Sequence, residues 1–133
     1  MSDTASGKKI TVIEDEPTQS KILSGAFTAA GLQVSTARTG VEGLETVLRE
    51  KPDIATLDIA MPDMNGLEFL RKLRADPWGA TLPVIILSNY DDPVKVAEAL
   101  GNGVQYYLVK INTSVADIVQ KVQEVLATHT ARS

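Results

Sequence analysis

Short runs of aliphatic and β-branched residues alternate along this chain with longer stretches whose apolar positions recur every three to four residues. The runs are Ile10-Thr11-Val12-Ile13, Ile54-Ala55-Thr56-Leu57, Val84-Ile85-Ile86-Leu87 and Tyr106-Tyr107-Leu108-Val109, with a more polar run at residues 33–37. Continuous apolar runs bounded by breakers are the mark of strands buried on both faces. Between them, Ile22, Leu23, Ala26, Phe27 and Ala30 form one stripe, and Val41, Leu44, Val47 and Leu48 a second. Leu67, Phe69, Leu70 and Leu73 form a third, and Ile118, Val119, Val122, Val125 and Leu126 the last. Each stripe has helical period, so these positions are expected to face inward.

Punctuation agrees with the periods. Pro17 opens the first helix, where its missing N–H is harmless, and Gly31 closes it. Lys51-Pro52-Asp53 ends the second helix, Pro77 ends the third, and Pro83 introduces the fourth strand. Asp92-Pro93 starts the fourth helix and Gly101-Asn102-Gly103 ends it; Thr113 or Ser114 caps the fifth. The pattern predicts (βα)5 and α/β class, a doubly wound, flavodoxin-like fold. Its five parallel strands take the order 2-1-3-4-5, with helices on both faces. The predicted domain covers residues 8–128, with flexible tails at 1–7 and 129–133.

Parallel strands share one carboxyl-terminal edge, which changes the picture. Glu14 and Asp15 follow the first strand, Asp58 ends the third, Ser88 the fourth and Lys110 the fifth. The switch point of a 2-1-3-4-5 sheet lies between the first and third strands, so all three acids collect there. Two carboxylates ~5 Å apart repel by about 3 kcal/mol at an effective dielectric near 20. A divalent cation removes that conflict, and Mg2+ suits a sparse carboxylate site because it keeps several waters and shares phosphate oxygens. A carboxylate beside such an ion can attack phosphorus. Lys110 would take one equatorial oxygen, and the Ser88 hydroxyl with backbone N–H groups another.

These residues resemble the response-regulator receiver domain family. Glu14-Asp15 stands where the family has its acidic pair. Asp58 stands at the phosphorylated Asp, followed by Met61-Pro62 and Gly66 of its loop. Ser88 and Lys110 match the Ser/Thr and Lys that end the fourth and fifth strands, and Tyr107 matches the aromatic switch position. The resemblance covers essentially the whole chain, in order and spacing. It implies a stand-alone, phosphorylation-dependent signalling switch in a two-component phosphorelay. A sensor histidine kinase or histidine phosphotransfer protein would donate to Asp58, the phosphoacceptor, with Mg2+ held by Glu14, Asp15, Asp58 and the backbone carbonyl of Ala60. Ser88 and Tyr107 would then rearrange, and a downstream protein would read the face made by the fourth helix, fifth strand and fifth helix. Self-phosphorylation and self-dephosphorylation would be its only chemistry, without a separate enzymatic output. Tyr90, two residues past Ser88, would hinder the hydrolytic water.

Two positions depart from the family pattern. Glu14 replaces the commoner Asp and lengthens the reach to metal. Ile111 follows Lys110 where the family has a cis-Pro; a cis bond without Pro costs about 3–4 kcal/mol, so a trans bond and a reshaped loop are expected.

Composition narrows the alternatives. The chain has 133 residues, 44% of them hydrophobic and 23% charged, which suits one globular domain. It has no Cys, which removes disulfides, thiolate nucleophiles and Cys-zinc sites. A net charge of −4 without a basic cluster argues against nucleic acid and anionic membrane as partners. No apolar stretch is long enough for membrane insertion or a secretory signal, so a cytoplasmic location is expected. A flavodoxin-like electron carrier would need a phosphate loop where Glu14-Asp15-Glu16-Pro17 stands. A phosphatase of the haloacid-dehalogenase class would place an Asp at position 60, where Ala60 stands. Met61, Met64, Trp78, Tyr106 and His129 have simpler roles as packing or surface residues, and Asp63, Asp91 and Asp92 as turn and cap residues.

Overall fold

The computed structural model describes residues 7–59, 61, 63–89, 93–110 and 113–128. Five strands, β1 (Lys9–Ile13), β2 (Gln33–Ala37), β3 (Ile54–Asp58), β4 (Val84–Ser88) and β5 (Tyr106–Val109), form one parallel sheet in the order β2-β1-β3-β4-β5. The connections are α1 (Pro17–Ala29), α2 (Gly40–Glu50), α3 (Gly66–Ala75) and α4 (Pro93–Gly101), and α5 (Val115–Thr128) follows β5. A single 3-10 turn at Gly79–Thr81 leads into β4.

Side chains of successive strand residues point to opposite faces, and this alternation divides the core in two. On one face Ile13, Ala55, Leu57, Val84 and Ile86 pack with Val47 of α2, Phe69, Leu70 and Leu73 of α3, and Ala99 of α4. On the other, Ile10, Val12, Ile54, Ile85 and Leu87 pack with Leu23 and Phe27 of α1 and with Ile118, Val122 and Val125 of α5. Tyr107 joins the first cluster and Tyr106 the second, so two adjacent tyrosines serve different layers. β3 and β4 are buried along their whole length, as central strands must be.

Two expected core positions lie outside. Ile22 is 46% exposed and Val41 51%. In α1 the inward line runs through Leu23 and Phe27, and at 100° per residue Ile22 falls about 120° from its centre. In α2 the buried residues are Gly40, Gly43, Thr46 and Val47, which leaves Leu44 and Leu48 on the flank and Val41 turned to solvent. Gly43 sits inward because a Cβ there would lie 2.9 Å from the Ile13 side chain. The apolar residues alone misplace this helix's inward line, because two glycines lie at its centre.

Helix ends follow local chemistry. Glu16, just before Pro17, accepts from the Thr18 and Gln19 N–H groups at 2.9 and 3.1 Å. Gly31 has φ 95°, the left-handed turn expected after α1. Ser114, rather than Thr113, caps α5 by accepting from Asp117 N–H at 3.1 Å; Thr113 instead donates to the Val109 carbonyl. Gly7, placed by sequence in the tail, donates its N–H to the Gly31 carbonyl at 3.0 Å.

Candidate functional site

The carboxyl edge of the sheet brings four of the sequence-predicted residues, Glu14, Asp15, Asp58 and Lys110, to one cleft. Glu14 and Asp15 leave the end of β1, the strand next to β3, which ends at Asp58. One carboxylate oxygen from each of Glu14, Asp15 and Asp58 lies within 4.8 Å of the others. Lys110, just after β5, reaches back over the edge. Its Nζ donates to Glu14 Oε1 at 2.7 Å and to Asp58 Oδ2 at 3.4 Å. The side chains of Glu14, Asp58 and Lys110 are only 2%, 8% and 15% exposed. Together with Glu16, Gln19 and Asn89 these four residues line an open cleft of about 500 Å3.

The electrostatics follow from this crowding. Burial first, then the nearby Asp58 charge, raises Glu14 above the ordinary carboxylate range, against the lowering pull of its Lys110 hydrogen bond. Burial works against the charge on Lys110, yet the hydrogen bond to Glu14 and the fields of Asp58 and Glu14 outweigh it, and its pKa is raised. Three carboxylates against one ammonium leave a surplus of negative charge in a largely buried place. The donors are all hard oxygens, so the residues fit a divalent cation of the magnesium type.

Ser88 ends β4 and is fully buried. In the register Leu87 stands beside Asp58, so Ser88 is one residue beyond it on the neighbouring strand. Ile86 pairs with Tyr107 and Ser88 with Val109. Ser88 and Tyr107 therefore share a face of the sheet, on adjacent strands and two residues out of register. Tyr107 is half-buried against the cluster that includes Ala99 of α4. Ala60, Tyr90 and Ile111 lie outside the described residues, as do Asp91, Asp92 and His129.

The sequence matches the response regulator receiver domain family over residues 10–123. The chain belongs to that family. It is 32% identical over 124 residues to the probable transcriptional regulatory protein TcrX of Mycobacterium tuberculosis, covering 92% of this chain and 52% of that protein. It is 32% identical over 102 residues to protein PilH of Pseudomonas aeruginosa, covering 77% of this chain and 84% of PilH. Among solved structures, the CheX–CheY–BeF3–Mg complex of Borrelia burgdorferi contains a chain that superposes with a TM-score of 0.82 at 28% identity, covering 92% of both chains. This receiver spans about half the length of TcrX and of the similar regulator KdpE. Receivers are signalling domains of two-component systems rather than stand-alone enzymes, and phosphorylation on Asp with magnesium is typical of them. Among the described residues, no helix is long and apolar enough to cross a membrane.

Three cleft residues escaped the sequence reading. Asn89 directly follows the Ser88 strand end and could have been found from that position alone. Gln19 and Glu16 are presented by the first turn of α1, where only their closeness to the acidic pair gives a hint.

Proposed function

We propose that this receiver accepts a phosphoryl group on Asp58 from a phosphohistidine of a sensor kinase or histidine phosphotransfer protein. The observation that carries the reading is the convergence of Glu14, Asp15, Asp58 and Lys110 around one cleft. An Asp58 oxygen forms the new bond to phosphorus as the P–N bond to the donor imidazole breaks, and the electron pair stays on that nitrogen. Glu14, Asp15 and Asp58 would hold a magnesium ion, with the carbonyl of Ala60 as the further protein ligand that the family resemblance implies. The ion, when bound, draws charge from a phosphoryl oxygen and offsets the carboxylates' mutual repulsion. Lys110 releases Glu14 and donates to a second oxygen, which explains why it stands within reach of both acids.

The phosphoryl group adds about −1.5 to −2 charge and three acceptor oxygens. Ser88 moves toward it and Tyr107 turns into the space released, which shifts the surface of α4, β5 and α5 read by a downstream protein. Their common face on β4 and β5 supports this coupling. Tyr90, two residues past Ser88 in sequence, would hinder the hydrolytic water. Residues 8–128 form the working unit, acting in the cytoplasm with self-phosphorylation and self-dephosphorylation as its only chemistry.

The test is intact-mass spectrometry after incubation with acetyl phosphate and MgCl2, together with beryllofluoride titration. One phosphoryl per chain is expected, absent in Asp58→Asn. Unchanged uptake by Asp58→Asn removes Asp58 as acceptor, and no uptake by the wild-type chain rejects the reading. Tyr90→Ala should shorten the lifetime of the labelled protein.

A further inference from the structure

Among the described residues, the segment after Asp58 is fastened both locally and to a distant helix. At its base, Gly66 N–H donates to the Ile59 carbonyl at 2.8 Å. A Cβ on Gly66 would lie 2.8 Å from the Ile59 Cα, so the two ends of this loop touch. Farther along, Asp63 accepts from the N–H groups of Gly40 at 2.9 Å and Val41 at 3.0 Å. These are the first two residues of α2, whose N–H groups have no acceptor within their own helix. The side chain of the N-cap residue Thr39 accepts from Glu42 N–H, at 3.0 Å. Asp63 therefore completes the cap of a helix that begins 23 residues earlier, and those bonds lower its pKa. The seam is tight as well. A Cβ on Gly40 would stand 2.7 Å from the Met64 Cβ.

We propose that Asp63 is a positioning residue for the phosphorylation site: by gripping the N-terminus of α2 it holds the segment behind Asp58 in the shape that binds the cation. The inference rests on the receiver reading. Ala60, whose carbonyl that reading gives to the metal, lies in sequence between the two fastenings. Without Asp63 the loop keeps its Ile59–Gly66 base but loses its fixed outer end, so Asp58 and its neighbours present metal oxygens less firmly. Partners of this kind, which hold the ligands rather than the metal, typically carry 10–100-fold in metal affinity.

The test measures MgCl2 affinity by isothermal titration calorimetry and follows the Asp58 amide by NMR in the same titration. Asp63→Ala should weaken the affinity about tenfold. Asp63→Asn, which keeps one acceptor oxygen, should recover part of that loss and covers the case in which Ala does not fold. Thr39→Ala removes a cap bond from the same helix without touching the loop, so it should lower the melting temperature and leave the magnesium affinity unchanged. Wild-type affinity in both Asp63 variants would overturn the inference, as would an equal loss in Thr39→Ala, which would make helix fraying the cause. No magnesium binding by the wild-type chain would instead remove the proposed magnesium-dependent phosphorylation of Asp58, and the inference with it.

Discussion

Arg74 and Lys110 are both half-buried cations, and they stand at opposite edges of one sheet. Arg74, near the end of α3, donates to the Gly79 and Leu82 carbonyls at 2.7 and 2.8 Å. It also reaches the carbonyls of Asn102 and Gly103, at 2.9 and 3.0 Å. Its planar fork thus joins the segments that enter β4 and β5. Lys110 instead holds two carboxylates that repel each other, on a single flexible stem. Neutral carbonyls in fixed geometry give the arginine no competitor. On the proposed function the carboxylates around Lys110 have one, a divalent cation. One edge is tied by neutral carbonyls, and the other, on the proposed function, exchanges partners.

Substitutions should separate the two edges. The largest effect is expected for Lys110→Ala, which removes a donor to a transferring phosphoryl oxygen. Labelling by acetyl phosphate should slow by about 100-fold or more. Arg74→Ala should leave labelling per folded molecule intact yet lower unfolding free energy by about 3 kcal/mol in urea titrations, because four carbonyls lose a charged donor. Arg74→Lys should recover only part, since an ammonium lacks the planar fork. If Arg74→Ala slowed labelling as much as Lys110→Ala, the division between edges would be lost.

Smaller effects sharpen the same contrast. The Thr56 hydroxyl, two residues before Asp58, is buried without a hydrogen-bond partner among the described residues. Thr56→Val should raise stability by about 1 kcal/mol in the same titrations. Glu14 supplies a pH signature. Its folded pKa is raised from 4.5, so between 4.5 and that folded value the native state holds more protons than the unfolded chain. Stability from this group therefore falls as pH rises through that window. Without magnesium, Glu14→Gln should remove that slope from unfolding curves taken at several pH values. An identical slope in wild type and variant would assign it to another group.

The fold was legible because it depends on local signals. Runs between breakers gave the strands, and Pro17 and Gly31 marked the limits of α1. The site was legible because a parallel sheet brings strand ends together whatever the loops do. Contacts between distant segments left no such trace. Nothing in the sequence near Asp63 points to Gly40, and Arg74 reads as one more surface cation on α3. Ile22 and Val41 were misread because apolar spacing locates a stripe but not its centre. In α2 that centre is held by two glycines and Thr46, which carry no hydrophobic signal. Ser114 over Thr113 is a choice between equivalent hydroxyls one residue apart.

Trp78 is the chain's one indole. It packs partly buried on the α2–α3–α4 side, with the Lys51 ammonium 5.2 Å from its ring. Both residues belong to the end of the molecule where Arg74 works, just ahead of β4 and β3. Intrinsic emission is thus wired to the Arg74 edge. It will register melting faithfully while staying nearly blind to whatever enters the acidic cleft, so ligand titrations need a reporter planted at the other end.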